Sequence, residues 1–459
     1  MSLNKDGFLK PFADFIAKGT QTNYEWARCL AINCLSTAVG PHVKVYTQKG
    51  PLNLNLFFVN IGASGLTIKT IPLRDYVLPT LKKLEDLTNK KFLFPSGFTS
   101  EGFHEYLLEK EVMDEDRVIQ TQKSGCIIKD ELSRFFKEAS GKRYMAGQIE
   151  FFSELYDGWV KSKYTKSSQL QGLVRPFVNL VAASTPYLFT ILPKQIFLQG
   201  FGNRILWICS GSGILEKADP EKYFHSKFED RRLGFIDEFA EKLKNYHEHS
   251  EGRIFIFSPE AGRNLTTYEF IKRSEAESLF HQDMMDATYS YIVRLPEYAF
   301  KLSGIHAIDR SGHLPWKSDT DEVIDITEQD AMWAMHVADE HLANFKKLLE
   351  VWETVRRSAR TSKRRRDPDE MKAILEKAGG IMNQTELRRK MYSRGYNPDR
   401  YVDVMLILTN AEDIILTKID AEKDEPKKPG PKPEYFILKS HPKFEYYKKK
   451  LESAKSSQG

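Results

Sequence analysis

An apolar run that ends in a glycine-rich turn restricts the fold of this sequence more than any other feature. Residues 52–61 alternate between leucine and asparagine and then run apolar, and a Gly-Ala-Ser-Gly turn follows at residues 62–65. Such a run predicts a strand that enters the interior of a sheet. A helical stretch follows the turn. The order strand, glycine turn and helix predicts a parallel α/β architecture with a ligand site at the turn.

The turn carries the residue types that bind nucleotide phosphates. Backbone N–H groups at a helix N-terminus, a lysine for the β and γ oxygens and an adjacent hydroxyl for Mg²⁺ are the required parts. Two departures accompany them: Lys69 follows Gly62 by seven positions where the standard motif has six, and Ile68 replaces its last glycine. The candidate phosphate-binding residues are Gly62, Ser64, Gly65, Lys69 and Thr70.

Two more apolar runs, residues 125–128 and 177–183, predict further strands of the same sheet. The first ends near Asp130 and Glu131, where an ATPase places one carboxylate for Mg²⁺ and another for the attacking water. The second ends at Ser184 and Thr185. Because parallel strands end at one edge, these side chains are predicted to lie beside the glycine turn.

Two arginines follow these strands in the sequence. Arg204 comes after a Gly-Phe-Gly-Asn segment at residues 200–203, and Arg294 opens a predicted helix. The planar arginine fork donates in pairs and stays charged, so it suits phosphate oxygens. A surface salt bridge is the alternative for each.

Changes of pattern and composition predict six segments. They are a helical segment (1–45), a P-loop core (46–212), a helical lid (213–350), a basic linker (351–367), a winged helix of three helices and a hairpin (368–440) and a basic tail (441–459).

Positive charge is concentrated at the C-terminal end. Residues 351–459 hold 25 Lys and Arg against 17 Asp and Glu, although the whole chain carries only +5. Such asymmetry favours polyanion binding. Acidic residues near the predicted recognition helix favour protein docking instead, and both alternatives stay open. The candidate DNA-binding residues are Arg364, Arg365, Arg366, Arg388, Arg389, Lys390, Arg400, Lys427, Lys428 and Lys432.

These motifs, in this order, resemble those of AAA+ ATPases of phages, plasmids and archaeal mobile elements, including primase-helicase-like proteins. The resemblance covers residues 20–350. It rests on NLFFVNIGASGLTIKT (55–70), FPSGFTSEGFHEYL (94–107), GCIIKDELSRFFK (125–137), YMAGQIEFFSELYDG (144–158), VNLVAASTP (178–186) and GFGNRILWI (200–208). Residues 294–307, RLPEYAFKLSGIHA, resemble the sensor-2 helix of minichromosome-maintenance helicases more distantly.

The resemblance implies an α/β AAA+ core that binds ATP and Mg²⁺ and assembles into a ring, commonly a hexamer. It implies that Lys69 contacts phosphate and that Thr70 and Asp130 contact Mg²⁺. Asp130 and Glu131 would be the Walker B pair. Ser184 or Thr185 would be sensor 1, Arg204 a finger for the neighbouring subunit, and Arg294 sensor 2.

The function expected from this resemblance is an ATP-dependent DNA helicase or translocase in the replication of a mobile element or virus. Single-stranded or forked DNA is the expected partner, and a separate primase another. The residues do not distinguish a helicase from an ATP-dependent loader or transposition ATPase that does not separate strands. The alternative is a DNA-binding scaffold or regulator with a degenerate P-loop, which Ile68 and Lys129 favour.

Neither a membrane span nor a secretory leader is expected. No run of eighteen apolar residues occurs, and the first six residues lack the basic and then apolar order of a signal peptide. A cytoplasmic location is therefore predicted.

Overall fold

The computed structural model describes residues 7–48, 50–63, 67–108, 112–114, 117–119, 123–134, 136, 148–161, 163–164, 169–170, 173–174, 176–191, 200–210, 227–282, 287–311, 323–396, 398–410, 413–418 and 434–456. The chain divides into two compact units, Met1–Val355 and Arg356–Gly459. Each has its own hydrophobic core.

The helices are named in chain order. They are α1 (Leu9–Thr20), α2 (Tyr24–Val39), α3 (Leu78–Thr88), α4 (Ser100–Leu107), α5 (Gln148–Asp157), α6 (Leu188–Ile191), α7 (Lys227–Ser250), α8 (Pro259–Gln282), α9 (Ala287–Ile292), α10 (Leu295–Ser311), α11 (Glu328–Lys377), α12 (Gln384–Ser393), α13 (Pro398–Asn410) and α14 (Phe444–Ser456).

The strands are numbered in the same way. They are β1 (Lys44–Thr47), β2 (Gly50–Leu52), β3 (Phe57–Gly62), β4 (Val112–Asp114), β5 (Arg117–Ile119), β6 (Gly125–Lys129), β7 (Trp159–Val160), β8 (Lys163–Tyr164), β9 (Gln169–Leu170), β10 (Leu173–Val174), β11 (Val178–Ser184), β12 (Ile205–Ser210), β13 (Ile254–Phe257), β14 (Val323–Ile326), β15 (Ile381–Asn383), β16 (Ile414–Lys418) and β17 (Glu434–Leu438).

The central sheet of the first unit is parallel, with the strand order β12-β3-β11-β6. Every residue of β3 and β11 is buried, which explains why these strands read as continuous apolar runs. Leu93 adds a parallel bridge to Cys126 of β6. The α/β class with a parallel sheet, predicted from the sequence, is confirmed.

The strand before the glycine turn is shorter than the sequence predicts. Residues 53–56 are not part of a strand, and β3 begins at Phe57. Residues 50–52 form β2, which belongs to a second sheet of order β14-β13-β1-β2. The leucine–asparagine alternation therefore marks a crossing between two sheets.

The segment predicted to be helical, residues 1–45, contains the helices α1 and α2. Helix α2 is capped by Asn23, whose side chain accepts a hydrogen bond from the Glu25 N–H at 2.7 Å. From Trp26 to Val39 nearly every residue of α2 is buried. Because it is enclosed on all sides, this helix lacks the one-sided pattern of a surface helix.

The segment predicted as a helical lid, residues 213–350, is mainly helical where it is described. It contributes α7, α8, α9, α10 and the first part of α11, and its strands β13 and β14 complete the second sheet. Among the described residues, no helix is both long enough and apolar enough to cross a membrane.

The second unit combines the end of α11 with α12, α13, α14 and an antiparallel sheet of order β15-β17-β16. Asn383 caps helix α12, because its side chain accepts a hydrogen bond from the Thr385 N–H at 2.8 Å. Strand β15 adds to the predicted hairpin. Helix α14 lies within the segment expected to be a basic tail.

The segment predicted as a basic linker, residues 351–367, is helical. Helix α11 runs for 50 residues and contains Pro368, the residue at which the winged helix was predicted to begin. Arginine, lysine and alanine all favour helices, so the basic composition alone does not interrupt one. The division between the two units, after Val355, falls within this segment.

Candidate functional site

Three strands bring predicted site residues to one edge of the central sheet. Ser184 of β11 lies opposite Ile61 of β3, and Ala182 of β11 lies opposite Lys129 of β6. The carboxyl ends of β3, β11 and β6 therefore lie side by side. Strand β6 comes next after β3 within this sheet, yet β11 lies between them, so the connections change direction here, where α/β sheets bind ligands.

The glycine turn is closed by Thr67. Its N–H and hydroxyl donate to the Ala63 carbonyl at 3.2 and 3.0 Å. A Cβ atom added to Gly62 would lie 2.9 Å from the Thr67 Cβ, so any larger residue would clash there. Ser64 and Gly65 lie outside the described residues.

The helix after the turn begins later than in the standard motif. A π-helical segment, Leu73–Val77, comes before α3, and a hydrogen bond from the Arg74 N–H to the Thr70 carbonyl at 3.0 Å closes the first helical turn. Lys69 and Thr70 thus precede the regular helix. The residues next to them are tied to the start of α2: the Thr22 hydroxyl donates to the Ile68 carbonyl, and the Trp26 indole N–H donates to the Lys69 carbonyl at 3.1 Å.

Lys69 folds back over the turn. Its Nζ donates to the Gly62 carbonyl at 2.9 Å, and the residue is only 6% exposed. Burial lowers the pKa of Lys69, and the nearby Glu131 carboxylate partly opposes this effect. The Lys69 ammonium is buried and lies near the Glu131 carboxylate at the edge of the sheet. A buried cation in such a position is suited to bind an anionic ligand.

Glu131 is held by two serines. Its Oε1 accepts hydrogen bonds from the Ser184 hydroxyl at 2.7 Å, the Ser133 hydroxyl at 2.5 Å and the Ser133 N–H at 3.2 Å. The Ser184 Oγ also accepts a hydrogen bond from the Ser133 N–H at 3.2 Å. Lys69, Glu131 and Ser184 therefore form one constellation at the carboxyl edge.

The remaining predicted residues at this edge are more open to solvent. Asp130 is exposed, and Thr70 and Thr185 are partly exposed. Lys129, at the end of β6, is buried, with its Nζ 5.3 Å from the centre of the Phe98 ring. This aromatic neighbour explains how a lysine is accommodated at a buried position.

Arg204 and Arg294 are not part of this constellation. Ile205, the first residue of β12, lies opposite Phe57, the first residue of β3, so Arg204 lies at the amino edge. Five residues of strand separate that edge from Gly62, a distance of about 16 Å. The Arg204 Nε donates to Asp157 Oδ1 at 2.9 Å, and Arg294 NH1 lies 3.6 Å from the same atom.

Sequence reasoning missed three residues that position these groups: Ser133, Asp157 and Trp26. Ser133 is two residues from Glu131, so a serine close behind the acidic pair was the available signal. Asp157 is 47 residues from Arg204, and Trp26 is 43 from Lys69. These two pairings depend on the tertiary fold.

The predicted DNA-binding residues are described only in part. Arg388 and Arg389 are exposed on α12, and Lys390 there forms an ion pair with Glu386 at 2.9 Å. The side chains of the other candidates lie outside the described residues, namely Arg364, Arg365, Arg366, Arg400, Lys427, Lys428 and Lys432.

No family model and no curated protein matches this sequence.

Proposed function

We propose that this chain is a P-loop ATPase of the AAA+ type that acts on DNA. The convergence of Lys69, Glu131 and Ser184 at the carboxyl edge of a parallel sheet carries this proposal. A cation for phosphate, a carboxylate for water and a hydroxyl between them are the groups that phosphoryl transfer needs.

Each residue has a chemical role in this proposal. The Lys69 ammonium exchanges its bond to the Gly62 carbonyl for phosphate oxygens. Glu131 orients the attacking water, and Ser184 holds that carboxylate in place. Thr70 and Asp130 would provide oxygen ligands of the kind that Mg²⁺ prefers. Asp130 is exposed, so its carboxylate is accessible to a hydrated Mg²⁺ ion. When bound, Mg²⁺ would neutralise charge on the phosphates.

The position of Arg204 supports a ring. It lies too far from the glycine turn of its own chain to contact a ligand there, and we propose that the phosphate it binds belongs to a neighbouring copy. Repeated head-to-tail contacts of this kind close into a ring when the rotation allows, and a hexamer is the proposed closure. Arg294, beside it, would contact the same neighbour.

We propose DNA helicase or translocase activity in the replication of a mobile element or virus, in the cytoplasm. The second unit has the order helix, strand, helix, helix, strand, strand, which supports a winged helix. Its exposed Arg388 and Arg389 would contact phosphates of single-stranded or forked DNA. A separate primase is a further proposed partner.

Steady-state ATP hydrolysis with and without single-stranded DNA tests this function. We expect DNA-stimulated turnover that falls at least a hundredfold in Lys69→Ala and in Glu131→Gln, because each loses a group used in the transition state. Lys82→Ala, which removes an exposed lysine from the helix that follows the turn, is the matched control and should retain full activity.

A second candidate is a DNA-binding scaffold that holds nucleotide without hydrolysing it. The late start of the helix after Thr70 and the lysine at position 129 favour it. Intact DNA binding without any turnover in the wild-type protein would support the scaffold and exclude the ATPase.

A further inference from the structure

Asp157 occupies the binding face of Arg204. Its two carboxylate oxygens accept hydrogen bonds from the Arg204 Nε, at 2.9 Å, and NH2. The Arg204 NH1 donates to the Gly200 carbonyl at 2.5 Å. All three guanidinium nitrogens are therefore engaged within the chain. A forked carboxylate contact has the same two-point geometry that arginine uses for phosphate.

The same carboxylate also faces Arg294. Arg294 NH1 lies 3.6 Å from Asp157 Oδ1 and donates to Glu297 Oε2 at 2.8 Å. Glu297 in turn pairs with the buried Lys301 at 3.2 Å. The cluster thus holds three cations and two carboxylates, with an excess of one positive charge.

Solvent exposure within the cluster is uneven. The Asp157 side chain is 37% exposed, whereas that of Arg204 is 12% exposed and that of Lys301 is 2% exposed. Asp157, at the end of α5, is therefore the outermost of these three groups. If it swings away, it uncovers two arginines on a surface with a net positive charge.

We propose that Asp157 is an intramolecular latch that keeps Arg204 from the phosphate groups of a second copy of this chain. This inference rests on the proposed ATPase function. An incoming phosphate displaces the Asp157 carboxylate from the Arg204 fork, so an isolated subunit is restrained and an assembled one is released. Asp157 is a positioning residue, because it acts on the ligand only through the arginines.

The test is ATP hydrolysis measured over a range of protein concentrations. An arginine that serves a neighbour works only when subunits meet, so wild-type turnover per subunit should rise with concentration. In Asp157→Asn, the neutral amide cannot form an ion pair with the Arg204 guanidinium. Half-maximal turnover should therefore occur at a protein concentration about fivefold lower, which corresponds to the loss of a partly exposed ion pair. A residue that only stabilises the fold would not shift this concentration downwards.

Matched variants assign the shift to the arginine. Glu150→Gln removes another carboxylate of α5, one that lies 4.0 Å from Lys161, and should leave the concentration dependence unchanged. Arg204→Ala should lose most of the turnover, and the double variant Asp157→Asn/Arg204→Ala should behave like Arg204→Ala. A gain that persists in the double variant would overturn the latch.

Other outcomes separate the latch from the ATPase. If wild-type turnover depends on Lys69 but folded Asp157→Asn shows an unchanged or higher half-maximal concentration, the latch is wrong and the ATPase stands. If neither protein shows Lys69-dependent turnover, both proposals fail. If Asp157→Asn does not fold, Asp157→Glu decides by the same criterion, since one added methylene displaces the carboxylate from the fork.

Discussion

Asn179 is a fully buried polar residue that joins three parts of the core. On β11, its Oδ1 accepts a hydrogen bond from the Leu56 N–H at 2.7 Å, which holds the chain just before β3. Its Nδ2 donates to the hydroxyls of Ser36 and Thr37 on α2 at 3.1 and 3.0 Å. One side chain therefore sets the position of α2 against the strand that leads into the glycine turn.

We expect Asn179→Ala to lower the free energy of unfolding by about 3 kcal/mol, because several buried polar groups lose their partner at once. Urea unfolding of the full chain measures the change. Asn264→Ala, which removes a partly exposed amide hydrogen-bonded to Glu328 at 3.2 Å, is the control, and its effect should stay within about 0.5 kcal/mol. Equal effects of the two variants would contradict the role given to Asn179.

His341 makes the stability of the first unit depend on pH. Burial lowers its pKa to about 4, although the bond from its Nδ1 to the Trp207 carbonyl at 3.0 Å partly opposes this effect. The unfolded chain binds a proton near pH 6.5 and the folded chain only near pH 4, so stability is complete above pH 6.5 and falls as the pH drops between these values.

The expected slope from this residue is about 1.4 kcal/mol per pH unit within that window. Urea unfolding at pH 7, 6 and 5 should show a smaller loss in His341→Gln than in the wild type, because glutamine does not titrate. Equal losses in the two proteins would show that His341 already binds its proton in the folded state near pH 6.5.

Among the elements, the strands with continuous apolar sequence were predictable and the short strands were not. Residues 125–128 and 177–183 were predicted as strands, and β6 and β11 confirm them within one residue at each end. Strand β2 has three residues and contains Gly50 and Pro51, which disfavour strands. It forms because β1 lies beside it, which no local pattern reveals.

The candidate site was predictable to the extent that its residues terminate strands. Lys69, Glu131 and Ser184 each follow or end an apolar run, so a shared edge follows from parallel pairing. The restraint of Arg204 by Asp157 was not predictable, because the two residues are distant in sequence and many other carboxylates were available.

Helix α11 gives a prediction about residues 356–366. In a continuous helix their amide hydrogens exchange slowly, whereas those of a solvated linker exchange at the rate of an unfolded peptide. Hydrogen exchange of the full chain should therefore show protection across this segment. Pro368→Ala should increase this protection, since a proline inside a helix lowers helix stability by about 3 kcal/mol relative to alanine. Unprotected amides in both proteins would show that residues 356–366 form a solvated linker and not a helix.

Helix α12 gives a prediction about DNA. Replacing Arg388 and Arg389 by glutamate should weaken binding of single-stranded or forked DNA at least tenfold and reduce its salt dependence, because both residues are exposed cations. Lys390→Ala is the matched control, and its effect should be smaller because Glu386 already pairs with that lysine. Unchanged DNA binding in the double variant would favour protein docking by the second unit.

At the scale of the whole molecule, the two edges of the central sheet have different roles in this account. The carboxyl edge carries the glycine turn and Glu131, and the amino edge carries the arginine cluster around Asp157. In the proposed function, a single chain would present a nucleotide site and, about 16 Å away along the strands, the groups that complete the site of a neighbour. A head-to-tail interface joins two different surface patches of this kind.

The central claim is that the glycine turn binds nucleotide, and ATP binding measured by titration calorimetry in the presence of Mg²⁺ tests it most directly. The account predicts saturable binding by the wild-type protein, unchanged affinity in Lys82→Ala and at least tenfold weaker affinity in Lys69→Ala, because only Lys69 lies at the turn. Absence of binding, or equal affinity in the two lysine variants, would contradict it.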